Sequence, residues 1–391
     1  MKIFSYLKRI KKDESILVFD IGSSSVGAAF FMAQKSGVPK VVKTFREPTK
    51  LEDSVDADRF LSSTLKSLEV VAQRAFDARL GAPSRIFCVL SSTWRVSQTR
   101  VINFEKNTPF VFTPKFADEL IQKEINLFKE DNLAKYKTTP DKVRMIEVQT
   151  IKTMLNGYET PKPLEQKATG LEMTVFISLS EEEVLKKIEE TIRKHFNFEK
   201  IKFCSFLLSS FIVVRDTYLN QENFLLVDIG GEVTDIAMAK GNTLRESISF
   251  PLGRNFIIRG VAATLGSSLE EAKSSIALFK DGHATVAATN KIGPVINKLQ
   301  MEWLQKFQES LANLSNDISI PSTIFMIVDK DLADFFRRTI EVEQFNQYTL
   351  TESKFKVIFL GTEIFHDRAQ VEEGVVYDPG LVMDSIYING I

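Results

Sequence analysis

The chain has 391 residues, 44% of them hydrophobic with 31 Phe, and its 50 Lys+Arg nearly balance 51 Asp+Glu for a net charge of −1. Wholesale disorder is excluded, and so is the strong overall basicity of a dedicated nucleic-acid binder, so no nucleic-acid partner is expected. Cys88 and Cys204 are too few for a disulfide framework or a thiolate zinc site, and no apolar run reaches the roughly 18 residues of a spanning helix.

In chain order, Met1 to Lys12 carries Lys2, Lys8, Arg9, Lys11 and Lys12 and no acid. Wound as a helix, it places Ile3, Phe4, Leu7 and Ile10 on one face, the pattern of an interfacial helix on an anionic membrane. Phe4, Leu7, Lys8, Arg9, Lys11 and Lys12 are the candidate membrane residues. A frayed basic tail fits the same residues, because twelve residues are marginal as a free helix.

The apolar run Leu17 to Ile21 ends in Asp20-Ile21-Gly22-Ser23-Ser24-Ser25 and is followed by a second apolar run, Val26 to Met32. The pattern returns at Leu225 to Ile229, with Asp228-Ile229-Gly230-Gly231-Glu232-Val233-Thr234-Asp235 and then Ile236 to Ala239. Strand, small-residue turn and returning strand predict a β-hairpin each time. Glycine allows backbone N–H groups to approach a phosphate, hydroxyls add donors, and a neighbouring aspartate can hold the water shell of Mg²⁺. Two such hairpins, one per half of the chain, suggest jaws around a triphosphate. No Walker-type phosphate loop occurs.

Between the hairpins, Asp56 to Leu80 has helical periodicity, Arg85 to Leu90 reads as a buried strand, and Trp94 to Phe112 reads as short β-like pieces. Phe116 to Phe128 reads as a helix and Lys129 to Lys142 as a polar loop. Met145 to Met154 and Leu171 to Leu179 read as strands, with a turn at Asn156-Gly157. Ser180-x-x-Glu183 is a capping box for a helix reaching His195. After the second hairpin, Thr243 to Phe250 reads as a strand, Gly253 leads into a helix ending near Gly266, and Ser267 or Ser268 caps the next. Ile292 to Leu314 is a long helix whose apolar stripe is core. Thr323 to Val328 is a strand, and Asp329 or Asp331 reads as the cap of the helix after it.

The paired hairpins resemble the actin, Hsp70 and sugar-kinase superfamily. The resemblance implies an α/β, two-lobed actin-like ATPase fold (ribonuclease H-like) that binds ATP and Mg²⁺. Asp20 and Asp228 would be the catalytic aspartates and hold the metal through water. Gly22, Ser23, Ser24 and Ser25 with Gly230, Gly231, Thr234 and Asp235 would hold the phosphates, and Gly253, Glu270 and Lys273 would contact the rest of the nucleotide. Glu147 to Tyr158 with Gly170 to Met173 resembles the small SHS2-type α+β insertion of FtsA and PilM, and Asn156-Gly157-Tyr158 favours FtsA. The implied parts are 1–12 (basic segment), 13–90 and 180–220 (first lobe), 91–179 (insertion) and 221–391 (second lobe, returning to the first at its end).

The implied function is an FtsA-like scaffold of cell division, cytoplasmic and peripheral at the inner membrane, binding FtsZ and membrane division proteins and self-associating into filaments. The alternative is a PilM-like component of type IV pilus assembly that binds the tail of an inner-membrane protein. The chain ends at Asp384 to Ile391 without the basic C-terminal helix usual in FtsA, so membrane tethering falls to residues 1–12 or to a membrane protein. Two departures bear on activity. No glycine follows Val328, where the family's adenosine motif has two or three, and Glu232 stands where FtsA has a glycine. With no residue in Phe203 to Ser210 suited to activating water, at most weak ATP hydrolysis is expected, and a pseudo-ATPase interaction protein is a second alternative. A small-molecule kinase lacks a recognisable base here.

Overall fold

The computed structural model describes residues 14–34, 37–136, 139, 142–314, 319–342, 354–361 and 363–391. The proposed membrane residues Phe4, Leu7, Lys8, Arg9, Lys11 and Lys12 lie outside them. Among the described residues no helix is long and apolar enough to cross a membrane.

The first hairpin is β1 (Ser15–Ile21) and β2 (Ser25–Met32), extended by β3 (Lys40–Pro48). Helix α1 (Ala57–Asp77) follows, its first turn capped by the Asp56 carboxylate accepting from the Arg59 N–H at 2.9 Å. Then comes β4 (Arg85–Leu90). The chain leaves this unit through β5 (Val96–Val111), α2 (Pro114–Tyr136), β6 (Val143–Leu155), β7 (Tyr158–Glu159) and β8 (Lys167–Glu181). It re-enters with α3 (Glu182–Arg193), β9 (Ile201–Ser205) and α4 (Phe206–Thr217). The second hairpin is β10 (Phe224–Ile229) and β11 (Thr234–Lys240), extended by β12 (Thr243–Phe250). Helices α5 (Arg254–Leu265), α6 (Leu269–Lys280) and α7 (Val286–Leu314) precede β13 (Thr323–Val328), α8 (Ala333–Val342), β14 (Lys356–Phe359), β15 (Gln370–Val371) and α9 (Pro379–Asn389).

The duplication seen in sequence is a duplication of topology. One sheet has the order β15-β3-β2-β1-β4-β9 and another β12-β11-β10-β13-β14. In both, three antiparallel strands begin the unit and the first strand then pairs in parallel with the strand after the crossover: β1 with β4, β10 with β13. In both the antiparallel pairing ends at the Asp-Ile step, Ile21 opposite Val26 and Ile229 opposite Thr234, so the turns project from equivalent sheet ends. The third sheet, β5-β8-β6-β7, packs α2 on one face through Ala117, Ile121, Ile125 and Phe128.

Three apolar cores follow the three sheets, and a fourth joins the halves. It combines Ile16 and Val18 of β1 with Phe224, Leu226 and Phe325 of the second sheet, through α4 and α9. These two helices are apolar on nearly every face, as an element buried on all sides must be.

Several sequence expectations are corrected. Lys129 to Lys142 is no loop at its start, since α2 continues to Tyr136 and seats Asn132 against the Phe128 carbonyl. Within Trp94 to Phe112, Val96–Val111 forms one long strand with an irregularity between Glu105 and Phe110, and Trp94 closes a short helical turn before it. The Ser180 capping box is absent: the hydroxyl donates to the Trp94 carbonyl at 2.6 Å, and Glu181 takes the cap position without a side-chain bond. The capping box forms at Ser268 with Glu271.

Candidate functional site

The two small-residue turns meet each other. Ser23 Oγ accepts from the Gly231 N–H at 2.8 Å and the Glu232 N–H at 3.1 Å. A Cβ on Gly231 would lie 2.8 Å from the Ser23 carbonyl carbon, so only glycine permits this approach. Other donors are also engaged. The Gly22 and Gly230 N–H groups close their own turns on the carbonyls of Ser25 and Val233. The N-terminal amides of α5, Arg254 and Asn255, donate to the Gly230 and Gly231 carbonyls at 2.9 Å. Gly253 enables that contact, because a Cβ there would fall 2.4 Å from the Gly231 carbonyl oxygen. Thr234 Oγ1 donates to the Leu252 carbonyl and accepts from Trp303 Nε1.

The carboxylates are held by arginines that the sequence reading did not single out. Arg46 of β3 reaches Asp20 at 2.8 Å, Asp378 at 2.5 Å and Ser25 Oγ at 2.9 Å. Asp378 and Asp20 keep that guanidinium firmly charged, despite its burial. Burial pushes the Asp20 carboxyl up, against the pull of Arg46. Glu232, nearly buried, receives Arg259 at 2.6 and 2.8 Å on its two oxygens and Asn255 at 2.8 Å. Asn255 and Arg259, four apart on α5, form one face turned to this carboxylate. Arg254 pairs with Asp329, which therefore does not cap the following helical turn.

Asp228 and Asp235 share the second turn. Ser249 donates to Asp235. Burial, then Asp235 and Asp20, push the Asp228 carboxyl well up, with Arg95 opposing. Arg95 is itself buried, donating to the Leu90 carbonyl and Ser97 Oγ. Glu270 and Lys273 pair with each other at 2.6 Å at the surface of α6, and nothing in their contacts turns them toward the turns. Among the described residues there is no group of three or more His, Cys, Asp or Glu that could hold a metal.

Two further acids are withdrawn from solvent, Glu147 half-buried and Asp384 buried. Glu147 of β6 accepts from Tyr387 Oη at 2.5 Å and the Ser205 N–H at 2.8 Å, and burial raises its carboxyl to about 7. Asp384 of α9 accepts from Ser209 Oγ at 3.0 Å, and burial drives it well up.

An actin-like ATPase fold in general holds a nucleotide between its lobes, and the residues here do not fit one, because the turn amides, Arg46 and Arg259 are already engaged within the protein. The cavity between Ser23, Glu52, Glu232, Asn255 and Arg259 is about 10 Å³, room for one water. The signal for the missed arginines was Glu232 itself: a carboxylate between phosphate-type turns demands a cation, and the i, i+4 pair on α5 supplies one.

No family model and no curated protein sequence matches the chain. Its fold is similar to a chain of the PilM-PilN type IV pilus biogenesis complex, with a TM-score of 0.60, 13% identity and 98% of both chains covered. Weaker likeness is found to the ethanolamine utilization protein EutJ of Carboxydothermus hydrogenoformans (TM-score 0.42, 9% identity, covering 98% and 91%). A Bacteroides thetaiotaomicron protein with an actin-like ATPase fold is similar at TM-score 0.40, 9% identity and 98% and 99% coverage. The chain has an actin-like ATPase fold and is similar over its length to a chain of the PilM-PilN complex.

Proposed function

We propose that the chain is an actin-like scaffold of a type IV pilus-type assembly, binding the cytoplasmic tail of an inner-membrane partner. The observation that carries this reading is the likeness to a chain of the PilM-PilN complex over 98% of both chains. It favours the alternative over the FtsA-like main reading. The stretch that pointed to FtsA has a local explanation. Asn156 and Gly157 both adopt positive φ, 52° and 82°, and the Asn156 side chain accepts from the Thr169 and Gly170 amides, which is ordinary hairpin-turn chemistry.

Residues 1–12 add a weak electrostatic and apolar contact with an anionic membrane, supplementing the protein partner. Filament formation and FtsZ binding have no part in this reading, and neither do ATP and Mg²⁺, because the cleft residues do not fit them. The deciding experiment is fluorescence anisotropy of labelled tail peptides from the inner-membrane pilus proteins of the source genome. Saturable binding to one peptide is expected. Co-pelleting with FtsZ filaments and no peptide binding would overturn the reading.

A further inference from the structure

The fold expects a ligand where this chain has placed its own charges. In a nucleotide-binding cleft the phosphates bridge the lobes, since both turns donate to them and a metal offsets the nearby carboxylates. Here each of those tasks has an internal substitute. The Ser23 hydroxyl of the first turn receives the Gly231 and Glu232 amides of the second. The Glu232 carboxylate lies against Arg259 and Asn255 of α5, and Arg259 Nε also donates to the Glu52 carbonyl, which belongs to the connection between β3 and α1. Glu232 and Arg259 therefore form a bridge from the second turn through α5 to the first unit. Asp20, which would hold a metal's water, is instead held by Arg46, and Arg46 also pairs with Asp378. Asp329, where the adenosine motif has glycine, is joined to Arg254.

Charge and volume agree. A triphosphate would enter beside Glu232, Asp20 and Asp235 while the arginines within reach are already in bidentate or multiple contacts, so its own charge would go unmatched. Beside Ser23, Glu52, Glu232 and Arg259 the cavity is about 10 Å³, room for about one water and not for a phosphate group.

We infer that the Ser23–Gly231 contact and the Glu232–Arg259–Glu52 bridge, backed by Arg46–Asp20–Asp378 and Arg254–Asp329, have replaced the nucleotide, so that the two halves stay closed with no ligand. The scaffold is then permanently in one state, and partner binding is not gated by ATP. This inference does not depend on which partner is bound.

The test uses the full chain with spin labels at Leu80→Cys and Met301→Cys, exposed positions on opposite halves, the native Cys88 and Cys204 being buried. Double electron–electron resonance should give one narrow distance distribution that millimolar Mg·ATP leaves unchanged, and the thermal midpoint of the unlabelled chain should not move. A rise in the midpoint or a shifted distance on adding Mg·ATP would overturn the inference. Glu232→Ala with Arg259→Ala, which removes both charges together, should broaden the distribution. Ser23→Ala, a milder change that keeps the core, should broaden it to a smaller extent. An unchanged distribution in the folded Ser23→Ala chain and in the double variant would show that these contacts do not hold the halves together, and would also overturn it.

Discussion

Glu147 shows how one half-buried residue couples the third sheet to the rest of the chain. It leaves β6 to meet the N–H of Ser205 at the start of α4 and the hydroxyl of Tyr387 on α9, with Arg95 nearby as a favourable charge. Its folded carboxyl titrates near 7 against an ordinary value of 4.5, so the folded state binds this proton more tightly than the unfolded chain. The group's contribution is complete below about pH 4.5 and is lost as pH rises through 7, up to about 3 kcal/mol. Urea unfolding followed between pH 5 and pH 8 should show that decline. Glu147→Gln, which can accept from Ser205 and donate to Tyr387, should flatten it; an unchanged slope would assign the decline to Asp228 or Asp384, whose burial acts in the same direction. The sequence marked Glu147 only as the first residue of a resemblance. Its partners lie 58 and 240 positions away, and no local spacing announces such a meeting.

Element boundaries were readable where local chemistry decides them. Gly266, in left-handed conformation, ends α5, and Lys240-Gly241-Asn242 turns β11 into β12. Tertiary contacts override local ones elsewhere, as when Ser180 donates its hydroxyl to the Trp94 carbonyl and leaves α3 without a side-chain cap. Helix α9 is the clearest case of an element whose start is set twice. Asp378 caps it by accepting from the Leu381 N–H at 3.0 Å, and the same carboxylate binds Arg46. Asp378→Ala should cost about 3 kcal/mol or more, because it removes a cap worth about 1 and leaves Arg46 with a weakened set of partners. Asp378→Asn keeps the cap and loses the charge, so its denaturation midpoint should fall between the two. Equal midpoints for Asn and Ala would show that capping contributes nothing there.

For the whole molecule, the core shared by β1, α4, α9 and the second sheet predicts cooperative behaviour. The two tryptophans report on opposite halves, Trp94 at the root of the first sheet and Trp303 buried in the core of the second. In Trp94→Phe the fluorescence of Trp303 should unfold together with far-ultraviolet circular dichroism, and Trp303→Phe should behave likewise through Trp94. Two separated transitions within either variant would mean that the halves are independent, contrary to the joined core.

The duplicated strand–turn–strand units are legible in the order of residues, because periodicity, glycine turns and terminal aspartates are local properties, and their resemblance to the actin superfamily points to the class of fold. The sequence also shows that Glu232 and the glycine-free stretch after Val328 depart from a phosphate and adenosine site. What those departures do depends on contacts between residues far apart in the chain. Ser23 meets Gly231, Arg46 meets Asp378 and Arg254 meets Asp329 across long stretches of chain. Whether a carboxylate in a cleft awaits a metal or already has an arginine depends on what the fold carries to within 3 Å of it, and sequence spacing does not encode that distance.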